Sequence, residues 1–200
     1  MENKKCTKCN TVKELKEFSK HKQSKDGLLH VCRLCSSNYQ KEYFRTVKGL
    51  ISRIYEHQKL SSKRRKHYLP NYNKSELIEW VGTQSNFKNL YEDWIISDYD
   101  SKLKPSIDRK DDYLPYTLDN IQLMTWEDNK KKSCLDRKNG INNKHSKSIL
   151  QLTKDLVLVK EYYSISNAAR ESNVNRGNIS SCCSNKSKSA GGFVWKYKNN

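Results

Sequence analysis

Two Cys-x-x-Cys pairs stand near the start of the chain, Cys6-Thr-Lys-Cys9 and Cys32-Arg-Leu-Cys35. A Cys-x-x-Cys turn offers two thiolates to one tetrahedral ion from one side, and a second pair closes the shell. Between the pairs, Phe18, Leu28, Leu29 and Val31 supply a minimal apolar core. So small a core needs a staple, so a structural zinc ion would contribute folding energy directly to residues 1–40. The competing reading is four redox-active or incidental cysteines. Lys25-Asp26-Gly27-Leu28 reads as a turn feeding the second pair. His21 and His30 read as surface residues, because four thiolates already complete a site.

Composition points the same way. Only 34% of the 200 residues are hydrophobic, and the mean hydropathy is −0.99. That is poor material for one large core and favours several small modules. Lys and Arg number 39 against 22 acids, a net charge of +17. This balance points to a polyanion, most simply nucleic acid, against a solvated basic surface or a ribosome-associated protein. No apolar run approaches the about 18 residues that span a bilayer, and nothing apolar follows Met1–Cys6 as in a secretion signal. A soluble, cytoplasmic protein is expected, where the seven cysteines are metal ligands or free thiols rather than disulfides.

From Ser36 to about His57, Tyr39, Tyr43, Phe44, Val47, Leu50, Ile51 and Ile54 recur at helical spacing. The run Lys63-Arg64-Arg65-Lys66-His67 follows, a solvated face or a phosphate contact. Asn73 caps an expected helix from Lys74 to about Thr83, with Leu77, Ile78 and Val81 inward. Phe87, Leu90, Tyr91, Trp94 and Ile95 suggest another. Trp80 and Trp94 read as core.

Residues 105–133 read as strand, loop, strand, helix. Ser106–Arg109 is a short strand, Lys110–Thr117 a loop, and Ile121, Leu123 and Thr125 alternate as in a strand. Thr125 and Asp128 resemble a helix N-cap with an acid at its third position. If the strands pair antiparallel and the helix folds back, Asp108 and Asn129 can meet. A carboxylate and an amide oxygen suit a hard cation.

This stretch resembles the ββα-metal core of HNH endonucleases of the phage and intron homing type, through Ser106-Ile107-Asp108-Arg109, Asn120-Ile121-Gln122-Leu123-Met124-Thr125, Asn129 and Lys132. The resemblance implies that Asp108 and Asn129 hold one divalent ion, Mg2+ or similar. It makes Asn120 the residue bracing the loop, and Lys132 a DNA contact. The family's usual Asp-His pair is Asp108-Arg109 here. Arginine cannot act as a base near neutral pH, so Arg109 is expected to hold the scissile phosphate. The base is sought elsewhere: His67 is named, with Tyr72, Tyr99, Tyr113 and Tyr116 as other candidates. The N-terminal stretch resembles the zinc-ribbon-like heads that precede many phage HNH nucleases.

Residues 139–147 are polar, with Gly140 and paired asparagines, and read as a linker. Beyond it, Ile149–Leu152 and Leu156–Val159 suggest a hairpin. Ser164 opens one short helix and Arg176 to about Ser184 forms another, as in a helix-turn-helix. Arg176, Asn178 and Ser181 would then reach base edges, and Lys186 and Lys188 phosphates. The module resembles the nuclease-associated modular repeat through Tyr162–Ala169, Ile179–Cys183 and Lys188–Trp195. Cys182 and Cys183 read as small buried side chains, and Trp195 as core.

The reading is an α+β protein of small modules: a zinc head at 1–40, helices and a nuclease-like core at 41–138 (motif 104–135), a linker at 139–147 and a DNA reader at 148–200. The activity expected from the resemblance is metal-dependent hydrolysis of duplex DNA, with Arg64 and Arg65 as further DNA contacts and a phage origin in a bacterial host. The alternatives are a non-catalytic, sequence-specific DNA-binding regulator derived from such a nuclease, or an RNA-binding zinc protein. No membrane or protein partner is expected, and nothing specifies monomer or dimer.

Overall fold

A computed structural model describes residues 2–198. It divides into two compact units, Met1–Thr125 and Trp126–Asn200. The protein is α+β, with small separate sheets rather than one large one.

The first unit opens with two hairpins. Strand β1 (Asn3–Lys5) pairs antiparallel with β2 (Val12–Glu14), and β3 (Phe18–Lys20) with β4 (Leu28–Cys32). Their shared core is small: Phe18, Cys6 and Cys32 are buried, with Leu28, Val31 and Cys35 packed against them. Leu29 is half-buried outside that cluster.

Two helices follow where the periodicity suggested one. Helix α1 (Arg33–Arg45) starts directly from Cys32, and α2 (Val47–Arg65) begins after a break at Thr46. Thr46 is extended (φ −73°, ψ 152°). Its hydroxyl donates to the Tyr43 carbonyl at 2.7 Å and accepts from the Gly49 N–H at 3.1 Å, so one side chain ends the first helix and starts the second. Apolar spacing runs through the corner unchanged, which is why periodicity alone conceals it.

Helix α3 (Lys74–Thr83) has the expected cap as a full capping box. Asn73 Oδ1 accepts from Ser75 and Glu76, and Glu76 accepts from the Asn73 N–H at 2.6 Å. Helix α4 (Phe87–Ile96) then leads to strand β5 (Pro105–Arg109), which pairs antiparallel with β6 (Ile121–Thr125). This two-stranded sheet cannot bury a face alone. It packs Ile107, Ile121 and Leu123 against Ile51 of α2, Leu77 and Val81 of α3, Tyr72 and Tyr116. Trp80 packs against the same cluster, and Trp94 is buried with Tyr99 edge-on to it.

The second unit begins with α5 (Trp126–Lys138). Gly140, at φ +77°, follows its end, and Ile141 N–H reaches back to the Asp136 carbonyl at 2.8 Å. This is a Schellman ending, which needs a left-handed residue at that position. The stretch read as a linker is hydrogen-bonded onto the helix end through Asn139, Ile141 and Asn142. Arg170 also donates to the Lys138 carbonyl at 2.7 Å, as does the Tyr163 hydroxyl.

Strand β7 (Ile149–Leu152) lies between β8 (Leu158–Tyr162) and β9 (Val194–Tyr197), all antiparallel. Strand β8 begins at Leu158, not at Leu156, because Leu156 takes a left-handed turn conformation (φ 66°). Helices α6 (Ile165–Ser172) and α7 (Arg176–Cys183) pack across this sheet, joined by a tight turn with Asn173 at φ 54°. Trp195, Ile149, Ile179 and Ala168 form the core, and Cys182 and Cys183 are buried in it.

Candidate functional site

The four N-terminal cysteines converge. Cys6 lies at the end of the first hairpin's opening strand, Cys9 in the following turn, Cys32 at the end of β4 and Cys35 in the first turn of α1. Asn10, at φ 57°, lets the first turn close, its N–H reaching the Cys6 carbonyl at 2.9 Å. The four sulfur atoms all lie within 4.8 Å of one another. A tetrahedral ion with about 2.3 Å Zn–S bonds sets sulfurs about 3.8 Å apart, so the donor set fits such an ion. The Cys32 N–H points at Cys6 Sγ, 3.3 Å away. That bond, ahead of the opposing effect of burial, lowers the Cys6 thiol to about 6. Neighbouring thiols, Cys32 first, push Cys35 up to about 12. His21 and His30 stay outside the cluster: His21 Nδ1 meets Ser24 Oγ at 2.9 Å, and His30 is exposed.

The β5–β6 hairpin is built around Asn120. Its Oδ1 accepts from the Asp111 N–H at 2.9 Å, and its Nδ2 donates to the carbonyls of Asp111 at 3.1 Å and Pro115 at 2.9 Å. The loop between the strands is thereby closed onto one buried amide. Asp108 is half-buried and faces Gln122 in the register, while Arg109 faces Ile121.

Successive strand residues point to opposite faces, and here that separates the Asp-Arg pair. Arg109 shares a face with Ile107 and is 1% exposed. It donates to Asp112 Oδ1 at 2.8 Å and to the Leu114 carbonyl at 3.0 Å, with its guanidinium 4.9 Å from the Tyr116 ring centroid. The expectation that Arg109 grips a phosphate is corrected: the guanidinium is enclosed and spent on the loop. Asp112, Leu114 and Tyr116 are the residues the sequence reading missed as its partners. The i,i+3 spacing of Arg109 and Asp112 was the available signal.

Burial disfavours two of the tyrosines named as candidate bases, Tyr72 and Tyr116. Tyr72 donates its hydroxyl to Gln58 at 3.0 Å, and burial raises its pKa strongly. Burial also raises Tyr116, against the lowering effect of Arg109. Tyr99 lies under Arg45, whose guanidinium is 3.9 Å from its ring centroid. His67 is half-buried just past α2, its N–H reaching the Ser62 carbonyl at 3.0 Å. His57, exposed on α2, was passed over as a candidate base in the sequence reading. Arg64 is exposed in the last turn of α2, and Arg65 approaches Asp112 at 3.7 Å.

In the second unit, Asn129 and Lys132 lie on α5, and Lys132 pairs with Asp136 one turn on at 2.7 Å. Arg176 and Asn178 are exposed at the N-terminus of α7, where Asn175 Oδ1 caps the N–H groups of Gly177 and Asn178. Ser181 is half-buried further along. Lys186 and Lys188 line a shallow groove with Leu156, Asn185 and Lys196.

No family model and no curated protein matches the chain. Among solved structures it is similar to one described as DNA binding and cleavage by the HNH homing endonuclease I-HmuI. The identity is 21% and the TM-score 0.28, over 48% of this chain and 59% of that one. Among the described residues, no helix is long and apolar enough to cross a membrane.

Proposed function

We propose that this protein is a metal-dependent DNA endonuclease of the HNH homing type, with a zinc-stapled head and a C-terminal helix-turn-helix reader. The observation that carries the reading is the β5–β6 hairpin closed by Asn120, with Asp108 on the strand face opposite the core. Its place in the chain order strand, braced loop, strand, helix matches the sequence motif. The charge of +17 suits a polyanionic substrate.

In this reading Asp108 and Asn129 are the ligands of a Mg2+-like ion, since a carboxylate and an amide oxygen form a hard donor set. Such an ion, when bound, stabilises charge on the leaving oxygen and favours ionisation of an attacking water. Asn120 holds the loop in shape. Arg109 acts as a positioning residue, fixing the same loop through Asp112 and Leu114. Arg176, Asn178 and Ser181 read bases, while Lys132, Lys186, Lys188, Arg64 and Arg65 contact phosphates. His67 is the named proton acceptor. Gln substitutions at His67 and His57 assign the role, because only loss of the base removes the limb it governs in the pH–rate profile.

Asp108→Ala should cut cleavage of duplex DNA by at least about a hundredfold, in line with the loss of a main catalytic group. Its DNA affinity should stay within a few-fold of wild type. Cleavage by that variant at the wild-type rate would overturn the site assignment. The enclosed Arg109, standing where the family has a base, favours a second reading: a DNA-binding regulator that no longer cuts. Plasmid and phage DNA incubated with Mg2+, against an EDTA control, decides between them, because a regulator leaves every substrate intact.

A further inference from the structure

Helix α2 carries a basic stripe beside its buried face. Leu50, Ile51, Gln58 and Ser62 are buried, whereas Arg53, His57 and Arg64 are exposed. At 3.6 residues per turn, spacings of four and seven bring these three within about 40° of one another around the axis. The row extends about 16 Å along the helix. Arg53 and His57 also line an open groove with Gln40, Lys41 and Phe44 of α1. The Arg53 guanidinium is held 5.0 Å from the Phe44 ring centroid, an arrangement that restrains it without neutralising it.

Lys104 immediately precedes β5, whose Ile107 packs in one cluster with Ile51 of α2. Lys104 is half-buried, and burial, with the Arg53 charge second, holds its ammonium below the usual lysine range. His57 is held below its ordinary value by burial and then by Arg53, Lys104 and Arg64. Among the described residues, Arg53 and Arg64 have no carboxylate at ion-pair distance, and Glu56 beside them is engaged by Lys59 at 3.2 Å. An ordinary solvated face spreads its charges, because gathered like charges repel, and partial burial makes each more costly. Here four basic side chains share one field next to the segment that leads into Asp108.

We propose that Arg53, His57 and Lys104, continued by Arg64, form a phosphate-contact row that grips a nucleic-acid backbone along α2 up to the start of β5. The row rests on the nucleic-acid reading above and adds the contacts made by the first unit. A row about 16 Å long can meet several successive phosphates of one strand, which rises about 3.4 Å per nucleotide. Lys104 stands four residues before Asp108, so the grip and the cleavage motif share one short segment.

The test is duplex-DNA binding in EDTA, followed by fluorescence anisotropy across a salt series, so that no cleavage is needed. Two variants, Arg53→Gln/Arg64→Gln and Arg53→Gln/Lys104→Gln, are compared with Lys74→Gln/Lys88→Gln. The last removes the same charge from exposed positions on α3 and α4. Each row variant should lose about 1.8 from the log–log salt slope, and on the order of ten- to a hundredfold in affinity at 0.1 M salt. The control should lose far less. The Arg53/Arg64 pair is exposed, so its result stands even if loss of Lys104 disturbs folding. Equal losses in row and control variants overturn the row while leaving the nucleic-acid reading standing. A wild-type protein that ignores duplex DNA overturns both.

Discussion

Arg109 shows how a single side chain can be misplaced by analogy and assigned by geometry. Its guanidinium satisfies Asp112 and the Leu114 carbonyl from inside the hairpin. Arg109→Gln removes the charge from a pair that is 1% and 15% exposed at its side chains. Breaking such a pair costs about 3 kcal/mol, so the urea midpoint should fall and any loss of cleavage should track loss of fold. A phosphate-gripping arginine would instead leave stability unchanged. Asn120→Ala should behave similarly, because it abandons one N–H and two carbonyls in the loop, at about 1–3 kcal/mol for each group left buried. Both readings of stability come from the same melts, and wild-type midpoints for both variants would contradict this account of the loop.

Among the elements, the α1–α2 corner and helix α6 make sharp expectations. A Cβ on Gly49 would stand 1.9 Å from the Tyr43 carbonyl oxygen. Gly49→Ala should therefore destabilise the first unit by about 1–3 kcal/mol, as overpacking does, although alanine is otherwise the better helix former. Thermal melting of the variant checks the sign. In the C-terminal module, Glu171 on α6 accepts from Lys160 at 2.6 Å and Asn167 at 2.7 Å. The Lys160 bond, with Asn167 next, lowers its carboxyl below the ordinary range. A depressed carboxylate contributes stability above its unfolded pKa of about 4.3, and that contribution is lost as pH falls through the folded value. Glu171→Gln should remove part of the acid-side slope in a stability-versus-pH curve and leave the slope above pH 6 unchanged. An unaltered acid limb would show that the pair contributes nothing.

At the scale of the whole molecule, the described residues form three separate buried apolar clusters, one in the head, one under the β5–β6 sheet and one in the β7–β9 module. The head's cluster is the smallest and includes three of the four converging cysteines, Cys6, Cys32 and Cys35. Stripping zinc with a strong chelator, or substituting Cys35→Ser, should abolish hydrogen-exchange protection over residues 3–32. Protection of strands Ile149–Leu152 and Val194–Tyr197 should persist, because their core shares no residue with the head. Metal analysis of the purified protein should give one zinc per chain. Loss of protection throughout the chain would mean that the modules fold as one.

Local chemistry alone was enough to read much of this protein. The paired cysteines, the Asn73 cap, the strand-loop-strand-helix order and the glycine after α5 are all written in neighbouring residues, because caps, turns and Cys-x-x-Cys knuckles are set within a few positions of the chain. Asn120 was legible as the residue bracing the loop only through resemblance, since its three partners lie five to nine residues away. Three other features had to await the tertiary structure. Thr46 splits a helix whose apolar period never falters. Arg53, His57, Arg64 and Lys104 gather only when α2 lies beside the approach to β5. Arg109 is withdrawn from Asp108 by the pleat of a strand whose inner face is chosen by the helices packed against it. The sequence by itself therefore determined which local elements form and where metal can be held. The direction each side chain faces, and so the separation of the buried Arg109 from the half-buried Asp108, was decided by burial of the two-stranded sheet, because only packing against α2 and α3 fixes which face lies inside.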